Sequence, residues 1–150
     1  MKIREFLLPA VLSALLCLPP HAGAKTRIAD DRPTVQLALL LDTSNSMDGL
    51  ISQAKNQLWD IVNQFGDASQ RGQAPIVQVA LYEYGNDGLS DDSHWIRCVS
   101  PLSRDLDGIS EGLFGLTTNG GSEYCGAVIR HAVQEISWST DGDAYRAIFI

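Results

Sequence analysis

Positive charge is scarce in this sequence: 11 Lys and Arg stand against 18 Asp and Glu, for a formal net charge of −7. With no basic cluster, the chain has nothing with which to release counterions from phosphates, and it has no basic amphipathic helix for a membrane surface. Nucleic acid is thereby excluded as a main partner. Cysteine is also rare, at 3 residues, and internal repeats and the compositional marks of disorder are missing. No apolar run reaches the length of a comfortable membrane span. What remains is an ordinary globular composition, 45% hydrophobic in 150 residues, which supports one domain at most.

The longest apolar run, Phe6 to Leu18, follows Lys2 and Arg4 and leads through Pro19-Pro20 to Ala22-Gly23-Ala24. Basic start, short apolar stretch and small residues at the end predict a signal peptide over residues 1–24, with Lys25 as the first mature residue. An uncleaved anchor is the alternative. Leu16 before Cys17 argues against lipoprotein-type cleavage at that cysteine. Export places the protein in the periplasm or outside the cell, with no membrane span after cleavage. Loss of Cys17 leaves Cys98 and Cys125, an even pair in an oxidising compartment, so a disulfide between them is expected. Residues 25–33 are polar, are punctuated by Pro33, and read as a linker.

Beyond the linker, Thr34 to Leu41 has the length and apolar content of a strand buried on both faces. From Asp48 to Phe65, the residues Leu50, Ile51, Ala54, Leu58, Ile61, Val62 and Phe65 recur at helical spacing. Trp59 falls outside that stripe and reads as a flank packing contact. Ile76 to Tyr84 is β-branched and aromatic enough for a second strand, Gly85 to Gly88 turns the chain, and His94 to Val99 returns as an antiparallel edge strand. A short helix is predicted over Asp105 to Leu116, a second polar, Gly-rich loop over Thr117 to Gly126, another helix through Ile136, and a strand from Ala144 to Ile150. That order predicts an α/β protein: a mostly parallel sheet with one antiparallel edge strand and helices on both faces. Right-handed crossovers bring the two polar loops to one carboxyl edge, where they share a site.

The first of those loops carries the chemistry. The buried strand ends in Asp42-Thr43-Ser44-Asn45-Ser46, and Asp42, Ser44 and Ser46 fall at alternate positions, so one anionic and two neutral oxygens converge outside the strand end. Hard oxygen donors with a single carboxylate suit Mg²⁺. The plainer reading makes Ser46 a helix cap and Asp42 a solvated strand end. Asp87, Asp91 and Asp92 lack the spacing and closing Glu of an EF-hand and read as a solvated hairpin tip. His94, His131 and Glu123 are the remaining acid–base candidates, with no motif spacing among them, and His131 reads as a helix-flank residue.

Asp42-Thr43-Ser44-Asn45-Ser46, between an apolar strand and a helix, resembles the Asp-x-Ser-x-Ser signature of von Willebrand factor type A domains, the metal-ion-dependent adhesion site. The resemblance implies a Rossmann-like doubly wound fold over residues 34–150 and one Mg²⁺ or Mn²⁺ that captures an Asp or Glu carboxylate of a protein partner. Gly120-Gly121-Ser122 resembles the family's Gly-Gly-Thr element, which makes Ser122 the further ligand, with Thr118 as the alternative. The family's third loop, usually with an Asp, would follow the strand at Ile148 to Ile150, so the domain is expected to be incomplete at its C-terminal end. The implied function is an exported, non-enzymatic adhesion module. Two others compete with it. One is a Mg²⁺-dependent phosphoryl-transfer or hydrolytic enzyme using Asp42, which lacks a second nearby carboxylate and any Lys or Arg in either loop. The other is a metal-free scaffold.

Overall fold

The computed structural model describes residues 32–68, 72–121 and 124–150. The expected signal peptide, most of the expected linker, Ser122 and Glu123 lie outside the described residues. Strand β1 (Thr34–Asp42) is buried along nearly its whole length, and its alternation decides where everything else packs. Val35, Leu37, Leu39 and Leu41 point to one face, where they meet Leu58 and Val62 of helix α1 (Ile51–Asp67) and Ile109 and Leu113 of helix α2 (Leu106–Gly115). Ala38 and Leu40 point to the other face, against Val128 and Ala132 of helix α3 (Cys125–Glu135). One strand therefore feeds two cores.

Strand β2 (Ile76–Tyr84) pairs parallel to β1 over nine residues, from Thr34 opposite Ile76 to Asp42 opposite Tyr84. Strand β3 (Ile96–Ser103) pairs antiparallel to β2, and β4 (Tyr145–Phe149) lies parallel to β1 on its other side, giving the order β3-β2-β1-β4. Pro101 is tolerated in β3 because that strand lies at the edge. The expected architecture is the observed one. Trp59 packs against the first core, as its position on the helix flank indicated.

Three expectations shift. α1 begins at Ile51 rather than Asp48, because Asn45–Met47 form a 3₁₀ turn and Gly49 takes φ +82, which no continuous helix accommodates. β3 begins at Ile96 rather than His94, because His94 and Trp95 both adopt left-handed backbone with φ 55 and 51. The expected Cys98–Cys125 disulfide is not formed: both are free, exposed thiols. Cys98 lies opposite Tyr82 in the β2–β3 register, and the Tyr82 ring meets His131 edge-on at 5.5 Å. Cys98 belongs to the edge strand and Cys125 is the first residue of α3. Burial first, and then the Cys98 contact, push the Tyr82 hydroxyl's pKa well above its usual value.

A buried lysine ties α1 to the end of α2. Lys55 donates from Nζ to the carbonyls of Phe114 at 3.1 Å and Leu116 at 2.5 Å, satisfying groups that a helix C-terminus leaves unpaired. Desolvation lowers its pKa. Lys55→Met keeps most of the stem but strands both carbonyls, so a loss of about 1–3 kcal/mol is expected in urea unfolding, with an unchanged dependence on denaturant concentration.

Candidate metal centre

The end of β1 is anchored from behind. Thr43 turns inward and is fully buried, its N–H donating to the Tyr84 carbonyl at 2.9 Å and its hydroxyl lying 3.2 Å from the same carbonyl and 3.3 Å from Glu83 Oε2. Glu83 is itself buried, and its other carboxylate oxygen takes Arg97 Nε at 2.5 Å. Glu83 and Arg97 are supports that sequence reasoning missed. The signal was a single charged residue inside the apolar run Ile76–Tyr84, a place that a carboxylate occupies only when paired.

With Thr43 inward, the alternate residues take the outer side. The Ser44 N–H donates to Asp42 Oδ1 at 2.8 Å, which fixes the carboxylate's direction at the mouth of the loop. Ser44 Oγ and Ser46 Oγ lie 2.9 Å apart, Ser44 being buried and Ser46 exposed. Asp42 is thus linked to Ser44, and Ser44 to Ser46, by direct contacts within the loop.

The second loop locks onto the first. Asn45 and Gly120 exchange two hydrogen bonds, Asn45 N–H to the Gly120 carbonyl at 2.9 Å and Gly120 N–H to Asn45 Oδ1 at 2.7 Å, and Asn119 N–H reaches the Thr43 carbonyl at 3.0 Å. The Thr118 hydroxyl donates to Asp48 Oδ1, so in this arrangement it serves the loop-to-loop contact. A third loop, between β2 and β3, closes the stack from below. Asp87 N–H donates to the Asn119 carbonyl at 2.9 Å and Asn86 Nδ2 to the Thr117 carbonyl at 3.1 Å. Gly121, at φ +105, passes so close to the Gly85 carbonyl that a Cβ there would stand 1.6 Å from its oxygen.

Asp91 and Asp92 sit in a 3₁₀ turn capped by the Ser90 hydroxyl. His94 is exposed in the same loop, and His131 packs on Tyr82, so neither histidine meets Asp42 in a described contact.

The donor set fits a small hard cation. Adjacent ligands of an octahedral ion bound at about 2.0–2.1 Å lie about 2.9 Å apart, whereas at calcium distances they lie about 3.3–3.7 Å apart. Ser44 Oγ and Ser46 Oγ are hydrogen-bonded to each other at 2.9 Å, so the two hydroxyls already stand at a separation that neighbouring ligands of a small cation would also have. Among the described residues no three His, Cys, Asp or Glu side chains gather in a cluster that could hold a metal ion.

No protein-family model matches the sequence, and no curated protein matches it. Solved structures do superpose on the chain. The three N-terminal domains of the type V pili tip protein Mfa5 from Porphyromonas gingivalis match at TM-score 0.56 and 20% identity, covering 77% of this chain and 19% of that one. The pilus adhesin SpaC from Lactobacillus rhamnosus GG, in its open conformation, matches at TM-score 0.54 and 16% identity over 76% of this chain and 14% of that one. Proximal thread matrix protein 1 from the mussel byssus, solved with a zinc-occupied MIDAS motif, matches at TM-score 0.52 and 16% identity over 78% of this chain and 28% of that one. The chain spans less than a third of the length of each. At these identities the likeness is one of fold. The fold is the expected α/β arrangement, a mostly parallel sheet with one antiparallel edge strand and helices on both faces.

Proposed function

We propose that the chain is an exported adhesion or interaction module of the von Willebrand factor type A family. Asp42, Ser44 and Ser46, with Ser122 or Thr118 from the second loop, hold one Mg²⁺ or Mn²⁺, and the partner offers an Asp or Glu carboxylate to it. The observation that carries this reading is the pair of serine hydroxyls 2.9 Å apart beside a carboxylate already oriented by the Ser44 N–H. A divalent ion there supplies Lewis acidity toward an incoming carboxylate, because one anionic ligand leaves it net positive charge. The chain's own residues hold the oxygens in place: Thr43 and Glu83 from behind, Asn45 and Gly120 from the side. Support also comes from the pilus-tip and adhesin neighbours and from the mussel protein's zinc-occupied motif.

Export follows from the signal peptide read over residues 1–24, and the mature protein is expected to start at Lys25 in N-terminal sequencing of the exported form. Among the described residues no helix is long and apolar enough to cross a membrane. A thermal shift series tests the metal reading: Mg²⁺ or Mn²⁺ at about a hundred times its dissociation constant adds about 2.7 kcal/mol to the folded state and raises the melting temperature. A melting temperature indifferent to all divalent ions supports the scaffold instead. Turnover of a phosphomonoester that needs Mg²⁺ and Asp42 supports the enzyme.

A further inference from the structure

The rim of the carboxyl edge carries an aromatic pair that metal binding does not use. Trp95 and Tyr124 stack with centroids 5.0 Å apart and planes 9° apart. Trp95 comes from the β2–β3 connection and Tyr124 from the residue before α3, and neither belongs to the two buried cores. Tyr124 is 38% exposed and Trp95 is half-buried.

Trp95 is held firmly: its carbonyl accepts from Gly85 N–H at 3.0 Å and its N–H donates to the Ser90 carbonyl at 3.0 Å. His94 and Trp95 both hold left-handed backbone, at φ 55 and 51, a conformation that non-glycine residues adopt at a cost. Gly85 is the residue on which Gly121 rests, so the aromatic pair belongs to the same stack of loops as Ser44 and Ser46.

The loops of this edge carry charge of one sign, while Arg97 behind them on β3 is paired with Glu83. The loops over 42–50, 85–95 and 117–124 include Asp42, Asp48, Asp87, Asp91 and Asp92 and contain no Lys or Arg. A partner carboxylate moving toward the metal meets that repulsion, and a cation beside it on the partner offsets it. Partly exposed aromatic rings beside an acidic loop are acceptors for such a cation, and a planar guanidinium stacks on them better than an ammonium does.

We propose that Trp95 and Tyr124, with the acidic β2–β3 loop, form a subsite for a cationic side chain, arginine before lysine, carried by the protein partner close to its metal-bound carboxylate. The subsite rests on the metal-dependent reading above. The test uses densely immobilised peptides with one Glu in a Gly/Ser background and a second residue, Arg, Leu or Tyr, at a series of spacings. Binding of the full chain is measured in Mg²⁺. At the best spacing the Arg peptide is expected to bind about fivefold more tightly than the Leu peptide, with the advantage shrinking as NaCl rises. That ratio should fall toward unity in Tyr124→Leu, and likewise in the surface double variant Asp91→Asn/Asp92→Asn, which leaves the strained backbone alone. Metal-dependent binding with no preference for Arg overturns the subsite and leaves the metal site standing. An equal gain from Tyr, or a ratio that survives both variants, also overturns it. Absence of metal-dependent binding to every peptide overturns both.

Discussion

Asp42→Ala is expected to lower affinity for Mn²⁺ by at least about a hundredfold, because even residues that merely orient a metal ligand cost 10–100-fold when removed. Asp42 is the one carboxylate among the proposed ligands of the first loop, and its carboxylate accepts from the Ser44 N–H at 2.8 Å. Ser44→Ala and Ser46→Ala each remove one neutral oxygen of the pair 2.9 Å apart and should weaken binding without abolishing it. Mn²⁺ titration followed by the paramagnetic signal of the free ion reads all three on one scale. Unchanged affinity in Asp42→Ala places the cation elsewhere.

The second large effect concerns Gly121, which binds nothing. A Cβ built there would stand 1.6 Å from the Gly85 carbonyl oxygen, on a backbone with φ +105 that an L residue rarely adopts. Neither neighbour is a flexible side-chain tip, so the clash is relieved only by separating the two loops. Gly121→Ala is therefore expected to cost on the order of 2–4 kcal/mol. Because Gly120 N–H is bonded to Asn45 Oδ1, the same displacement should loosen the Ser44–Ser46 loop and lower metal affinity. Gly126→Ala is the control: a Cβ there meets nothing within 4 Å, and the position lies on α3, where alanine is the better helix former. Equal melting temperatures for the two variants would show that the loops are not packed as described.

The legible part of this molecule was local. β1 announces itself because Leu37 to Leu41 is apolar at every position, and the odd–even split of Leu37 and Leu39 against Ala38 and Leu40 then dictates a helix layer on each face. Asp42, Ser44 and Ser46 were legible because two-residue spacing continues the strand's alternation into the loop. The rest depended on partners distant in sequence. Nothing local to Asn45 says that it bonds Gly120, nothing local to Gly121 says that Gly85 lies beneath it, and Lys55 reads as a solvated helix residue until the end of α2 is placed beside it. The helix start was misjudged at Asp48 for a related reason: its carboxylate takes the Thr118 hydroxyl across the site, while Asn45–Met47 use up the residues that a capped helix would have used. The disulfide expectation rests on the even number of cysteines, which carries no information about where Cys98 and Cys125 stand in the fold.

Metal-dependent capture of a carboxylate is the central claim, and one binding experiment addresses it directly. The full chain is passed over two surfaces bearing the same peptide, one with Glu and one with Gln at the single acidic position, in Mg²⁺ and then in EDTA. Binding to the Glu surface alone, present in Mg²⁺ and lost in EDTA, is the expected result. Equal binding to Glu and Gln, or binding to Glu that EDTA leaves intact, would contradict it.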